Sequence, residues 1–262
     1  MPSIVPSYSD KKKAKDAASL TRRKYNVGAD VPPAADKMRG SVTLGKLIVF
    51  EGMDGSGKST QFDLLCDRFL SEGKEFRRLR FPRYSAPSST LVKMYLGGEF
   101  GDDPDAVNAY AASSFYAVDR IASFIQDWKE YYNDGGLILT DRYTTSNAIH
   151  QGAKMPPAER ESFIKWLFEY EFGYLGLPAP DLVLFHDIEA SQAAQRLQRR
   201  QDETGTVGDI HEKDTEHLEH CARCGNQAAD LYGWHRIKCF EGEIERSQND
   251  IHQEIYAILK HF

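Results

Sequence analysis

The chain has 262 residues, 41% hydrophobic and 11% aromatic, enough for one sizeable core, and a formal net charge of −6. That charge argues against a general nucleic-acid binder. No stretch approaches the length of a transmembrane helix, and the first 30 residues lack the apolar core of a secretory signal. Cys66, Cys221, Cys224 and Cys239 suit a reduced cytosolic protein better than a disulfide scaffold, so a cytoplasmic location is expected.

Charge is distributed unevenly. Residues 1–45 carry nine Lys/Arg against four Asp/Glu, a net of +5, and leave the remainder at −11. With Lys11-Lys12-Lys13, Arg22-Arg23-Lys24, Pro32-Pro33 and few large apolar residues, this segment reads as a basic, disordered extension. An organellar transit peptide is the alternative, weakened by Asp10 and Asp16, and Met38 is an alternative start.

From Leu44 onward strands and helices alternate. The first strand, 46–51, runs into Gly52-Met53-Asp54-Gly55-Ser56-Gly57-Lys58-Ser59, which has the form G-x-x-x-x-G-K-S between a strand and a helix. Such a loop turns backbone N–H groups around phosphate oxygens. Lys58 reaches the β- and γ-phosphates and the Ser59 hydroxyl ligates Mg²⁺. Gly52, Asp54, Gly55, Ser56, Gly57, Lys58, Ser59 and Thr60 are therefore the expected ATP-binding residues. A helix over 59–72 follows, with Leu64, Leu65, Phe69 and Leu70 on one face.

The second strand, 76–81, leads into Phe81-Pro82-Arg83-Tyr84. Arg83 is placed to contact an anionic acceptor or to cover the rim. Residues 106–132 hold one long helix or two, in which Tyr116 and Arg120 share a face. A ring beside a guanidinium suits a planar base; a packing aromatic and a solvated arginine are the competing reading. Trp128, Tyr131 and Tyr132 read as core or rim aromatics. The third strand, 137–140, ends in Asp141-Arg142-Tyr143, an acid able to hold Mg²⁺ through water beside an arginine able to clamp a phosphate.

Helices over 158–172 and 190–200 flank a fourth strand at 182–186. The basic helix end Arg196-Leu197-Gln198-Arg199-Arg200 and the polar, Gly-containing run after it read as a mobile lid over about 199–210. A helix over 211–232, a strand at 235–240 and a helix over 247–261 complete the chain. His217, His220, Cys221 and Cys224 have metal-like spacing. Four ligands on one helix converge poorly, however, and no metal site is expected there. Repeated βα units give an α/β fold, a parallel sheet with helices on both faces and ligands at the carboxyl ends of the strands.

With these residues in hand, the chain from about Lys46 to Phe262 resembles the thymidylate kinase family. The resemblance rests on Phe50 through Gln61, Phe81-Pro82, Val118-Asp119-Arg120, Asp141-Arg142-Tyr143 and Pro180 through Phe185. It implies a five-stranded P-loop fold with a closing lid. It also implies Mg²⁺-dependent transfer of the γ-phosphoryl of ATP to dTMP, giving dTDP for dTTP synthesis.

By the family's pattern Asp54 accepts from the sugar 3′-hydroxyl, Tyr116 stacks on thymine and Arg120 bonds its O4. Asp141 sits in the metal and phosphate region, Arg142 contacts the acceptor phosphate, and Asn147 lies near the base edge. Two departures stand out. Gly55 occupies a position where some members carry a catalytic arginine, which shifts that role to Arg199 or Arg200, with Arg196 a weaker candidate. His150 stands where the family usually has an aromatic against the sugar. Relatives are commonly homodimers, with 59–72 and 106–132 as the candidate interface. Two rival readings are a kinase for another deoxynucleotide or a nucleoside, and a catalytically silent nucleotide-binding interaction protein.

Overall fold

The computed structural model describes Tyr25 and residues 44–101, 103–204, 215–260 and 262. Five parallel strands form the sheet: β1 (Lys46–Glu51), β2 (Arg77–Arg80), β3 (Leu137–Asp141), β4 (Leu182–Asp187) and β5 (His235–Lys238). They lie in the order β2-β3-β1-β4-β5. β1 is central, with Phe50 opposite Asp141 on one side and Val49 opposite Val183 on the other. The chain therefore winds outward in both directions from β1, which opens a crevice at its carboxyl end. A two-residue hairpin, β6 (Phe240–Glu241) with β7 (Ile244–Glu245), follows β5.

Side chains that alternate along the strands build a core on each face. Leu47 and Val49 of β1, with Ile138, Val183 and Phe185, meet one layer of helices. These are α3 (Ala109–Ser123), α4 (Thr144–His150), α5 (Arg160–Phe168) and α7 (Thr215–Tyr232). Ile48 and Phe50, with Leu139, Leu184 and Ile237, meet α1 (Lys58–Ser71) through Phe62, Leu65 and Phe69, and α8 (Gln248–Leu259) through Ile251 and Ile255. The sequence pattern thus corresponds to a real two-sided burial of continuous apolar strands.

Several elements differ from the expected spans. The helical stretch at 106–132 starts at Ala109 and widens into a π-helical turn over Phe124–Trp128 before Lys129–Asn133. α5 likewise runs into a π-helical turn over Glu169–Tyr174. Two seven-residue helices, α2 (Thr90–Leu96) and α4, were not expected, and α6 (Ala190–Thr204) extends four residues past the expected end. The remainder of the expected lid, 205–210, and residues 211–214 lie outside the described residues. Of the segment expected to be an extension, Tyr25 is described. It is fully buried, stacked on Tyr232 and edge-on to Phe168 and Phe172. Trp128 and Tyr132 are core residues and all four cysteines are buried without disulfides. No described helix is long and apolar enough to cross a membrane.

His186 near the end of β4 lies under the crevice. Its Nδ1 donates to the Glu51 carbonyl at 3.3 Å and its ring stacks on Phe50. Burial lowers its pKa to about 4, with the hydrogen bond to Glu51 pulling the other way. The unfolded chain, titrating near 6.5, binds a proton in that window that the folded chain refuses. This histidine's contribution is therefore complete above pH 6.5 and is lost as pH falls towards 4. Urea denaturation is expected to show wild type losing about 3 kcal/mol more than His186→Gln between pH 7 and pH 4. Equal losses in the two proteins would contradict this assignment.

Candidate active site

The carboxyl ends of β1, β2 and β3 open into a cavity of about 280 Å³. The loop after β1 forms its floor. Gly55 and Gly57 both have φ of +82°, in the left-handed region where a side chain is strained. A Cβ on Gly55 would also stand 2.5 Å from the Ala193 carbonyl of α6, so α6 can lie against the loop because the residue is glycine. No side chain caps the start of α1 and its first turn carries no acid, so its positive end is not neutralised from within the helix.

Lys58 opens α1, is buried, and donates to the Met53 carbonyl at 3.3 Å. Its Nζ also lies 3.5 Å from Asp54 Oδ1. That same carboxylate oxygen accepts from Arg142 Nη2, which comes from the end of β3. Arg142 has φ of +68°, unusual for a side-chain-bearing residue, and its N–H donates to the Phe50 carbonyl at 3.0 Å. This conformation turns the chain from β3 into α4 and points the guanidinium back over the glycine loop. Arg142 Nη1 donates to Ser146 Oγ at 3.2 Å and meets His150 Nε2 at 3.0 Å. An arginine has no lone pair to offer, so His150 Nε2 is the acceptor.

Burial works against every charge in this cluster, and the partners decide the outcome. Burial would raise the Asp54 carboxyl, but Arg142 and then Lys58 hold it well below the usual carboxylate range. Burial lowers the Arg142 guanidinium, yet Asp54, Glu51 and Asp141 together raise it above its ordinary value. Lys58 is lowered by burial and by Arg142, against the pull of Asp54, Asp141 and Glu51. Glu51, fully buried, is raised by burial against Arg142.

Glu51 was not singled out in the sequence. Its carboxylate accepts from the Gly52 N–H at 2.9 Å, from Thr145 Oγ1 at 2.6 Å and from Ser146 Oγ at 2.9 Å. One side chain thus clamps the start of the glycine loop to the first turn of α4. Asp141 is 2% exposed and its Oδ2 pairs with Arg80 Nε at 3.0 Å. Its Oδ1 is buried with no hydrogen-bond partner among the described residues. A bare carboxylate oxygen and the Ser59 hydroxyl in one cavity are the oxygen ligands that Mg²⁺ prefers.

The far wall carries Tyr116 and Arg120 of α3 and Asn147 of α4. Arg120 is buried and bidentate to Glu171, at 2.7 and 2.6 Å, and reaches the Tyr143 carbonyl at 3.4 Å. Thr144 Oγ1 donates to the same carboxylate at 2.7 Å. Glu171 sits in the π-helical turn after α5, a second residue that the sequence reading did not find. With two of its five donors on Glu171, Arg120 is fixed in direction and retains N–H groups for a ligand. Asn147 Nδ2 donates to the Ser113 carbonyl at 3.3 Å, which leaves its amide oxygen available to the cavity.

Arg83, Arg199, Arg200 and Thr60 are not among the residues that line the cavity. Arg83 does not line the cavity: its guanidinium pairs with Asp119, Asp127 and Ser88, and the rim arginine is Arg80. On α6, Arg199 and Arg200 are exposed, whereas Arg196 is turned to the loop. Arg196 Nη1 donates to the Gly55 and Ser56 carbonyls at 3.3 and 3.1 Å, and Glu245 of the hairpin accepts from the same guanidinium. Thr60, the last of the expected loop residues, is exposed on α1.

Comparison with known proteins places this architecture. Residues 50–255 match the family model for thymidylate kinase. The chain is 33% identical over 150 residues to the thymidylate kinase of Mycobacterium tuberculosis, covering 56% of this chain and 68% of that protein. It is 33% identical over 152 residues to that of Homo sapiens, covering 57% of this chain and 64% of the human protein. The solved structure of Candida albicans thymidylate kinase superposes with a TM-score of 0.62 at 21% identity, over 83% of this chain and 92% of that one.

The Arg120–Glu171 pair gives a direct stability prediction. Glu171→Ala strands a buried guanidinium, and urea denaturation is expected to show a loss of about 3–5 kcal/mol. A loss below about 1 kcal/mol, as for an exposed pair, would contradict the burial described here.

Proposed function

We propose, for a chain that belongs to the thymidylate kinase family and is a phosphotransferase, that it transfers the γ-phosphoryl group of ATP to dTMP, giving dTDP and ADP. The observation that carries this reading is the meeting of Lys58 and Arg142 on one oxygen of Asp54. Cations from two separate strand ends are held within one cavity, where a donor and an acceptor phosphate would approach head to head.

The chemistry needs no covalent intermediate. A phosphate oxygen of the acceptor is already a competent nucleophile, so the protein's task is alignment and charge neutralisation. The O–P bond to the acceptor forms as the bond to the ADP leaving group breaks, with the phosphoryl group passing in line. In this reading the N–H groups of the loop and Lys58 hold the donor phosphates. Arg142 holds the acceptor phosphate against them. Asp54, kept ionised by its two cations, accepts from the sugar 3′-hydroxyl. Tyr116 stacks on the base, while Arg120 and Asn147 meet its polar edge.

Ser59 and Asp141 are the residues that would hold Mg²⁺, which when bound supplies neutralising charge at the donor phosphates. Arg196, already at the loop, joins Arg199 and Arg200 as a candidate for the cation that reaches the transferring group. His150, half-buried in the cavity wall and bonded to Arg142, is the residue that meets the sugar side.

The reading is tested with a coupled assay using Mg²⁺-ATP and a panel of dTMP, dUMP, dCMP, dGMP and free nucleosides. dTMP is expected to be the best acceptor. Lys58→Ala and Arg142→Ala, each confirmed as folded by circular dichroism, are expected to lose about 100-fold or more in kcat. Preference for a different acceptor, or either variant turning over dTMP at wild-type speed, would contradict the proposal.

A further inference from the structure

The four metal-like residues of the α7 sequence do not converge, but a different set does. His217 and Cys221 stand one helical turn apart on one face of α7, and α4 brings His150 across to them. The two helices come close where α4 passes into the turn at Gly152: a Cβ there would lie 2.7 Å from Cys224 Sγ. Cys224 itself is turned away and donates to the Ala148 carbonyl at 3.1 Å.

We propose that His150, His217 and Cys221 form a binding site for a thiophilic divalent cation, zinc in the first instance, in the wall of the catalytic cavity. One ligand atom from each residue lies within 4.8 Å of the others. Cys221 Sγ is 3.3 Å from His217 Nε2 and 3.6 Å from His150 Nδ1. A tetrahedral zinc with Zn–S of about 2.3 Å and Zn–N of about 2.0–2.1 Å requires S···N edges of about 3.6 Å. The two S···N separations therefore stand within a few tenths of an ångström of those edges, and the two imidazole nitrogens lie within 4.8 Å of each other. A Cys–His–His set leaves a fourth position open to water or an anion, and its soft ligands favour zinc over the Mg²⁺ that accompanies ATP.

The site is coupled to Arg142. Without a cation, His150 Nε2 accepts from Arg142, so the imidazole proton is on Nδ1 and faces Cys221. Coordination through Nδ1 needs that lone pair, and the proton must move to Nε2. There it confronts an N–H of Arg142, and two donors cannot bond. Cys221, whose thiol burial keeps protonated, loses its proton to solvent as the S–metal bond forms. Cation occupancy and the Arg142–His150 hydrogen bond thus exclude each other. This link to catalysis rests on the role given to Arg142 above; the cation site does not.

The test uses Co²⁺ as the spectroscopic probe on the full chain, stripped with a chelator. Wild type is expected to bind one equivalent with an intense tetrahedral visible spectrum and a near-ultraviolet sulfur-to-cobalt charge-transfer band, both displaced by Zn²⁺. Cys221→Ser is expected to lose the charge-transfer band, and His217→Ala to bind about tenfold more weakly or worse, each still folded by circular dichroism in the absence of cation. Arg142→Ala is expected to bind the cation more tightly, since the competing donor is gone. Absence of the charge-transfer band in wild type, or its survival in Cys221→Ser, would overturn the cation site, and unchanged affinity in Arg142→Ala would overturn its coupling to Arg142. None of these readouts depends on turnover, so a failed acceptor panel and a failed cation site are separate results.

Discussion

A pocket built to receive two polyanions must hold positive charge out of water before they arrive, and isolated buried cations are costly. The cluster around Asp54 answers that constraint. Its one carboxylate stands between Lys58 of the glycine loop and Arg142 of the β3 end, and Glu51 and Asp141 flank the pair. Each cation is partnered by an acid of the protein itself. In the proposed reaction an arriving phosphate would share or exchange an existing ion pair instead of meeting a bare charge. Arg120 follows the same rule on the far wall of the cavity, held by Glu171.

The sheet makes this arrangement available. β1 pairs on both sides, so the loop that follows it lies beside the ends of β3 and β4 at once. The left-handed backbone at Arg142 turns its side chain over the loop, and Glu51 fastens that loop to α4 through Thr145 and Ser146. Strain at a functional residue persists where surrounding contacts over-determine it. Here the Phe50 carbonyl, Asp54, Ser146 and His150 all restrain Arg142.

What could be read in the sequence was what lies close along the chain. The glycine loop, the Asp141-Arg142 pair and the strands that carry them have fixed local spacing, and they stand at neighbouring strand ends. The unread partners act over distance: Glu171 is 51 residues from Arg120, and the Gly55 carbonyl is 141 residues from Arg196. α4 escaped notice for a different reason. Its sequence, Thr144 to His150, is mostly polar, yet six of its seven residues are buried: Ala148 and Ile149 join the core, and Thr144, Thr145, Ser146 and Asn147 hydrogen-bond inward. Hydrophobic periodicity cannot flag a helix buried for its polar groups. Tyr25 shows the converse: one aromatic in a basic, low-apolar segment packs fully into the core.

The central claim is that one cavity brings donor and acceptor phosphates together between Lys58 and Arg142. Calorimetric titration with a compound that joins adenosine to thymidine through a phosphate chain tests it most directly. The account predicts a single equivalent bound, tighter than ATP or dTMP alone, with both nucleotides displaced by the one molecule. Displacement of one nucleotide while the other stays bound would contradict it.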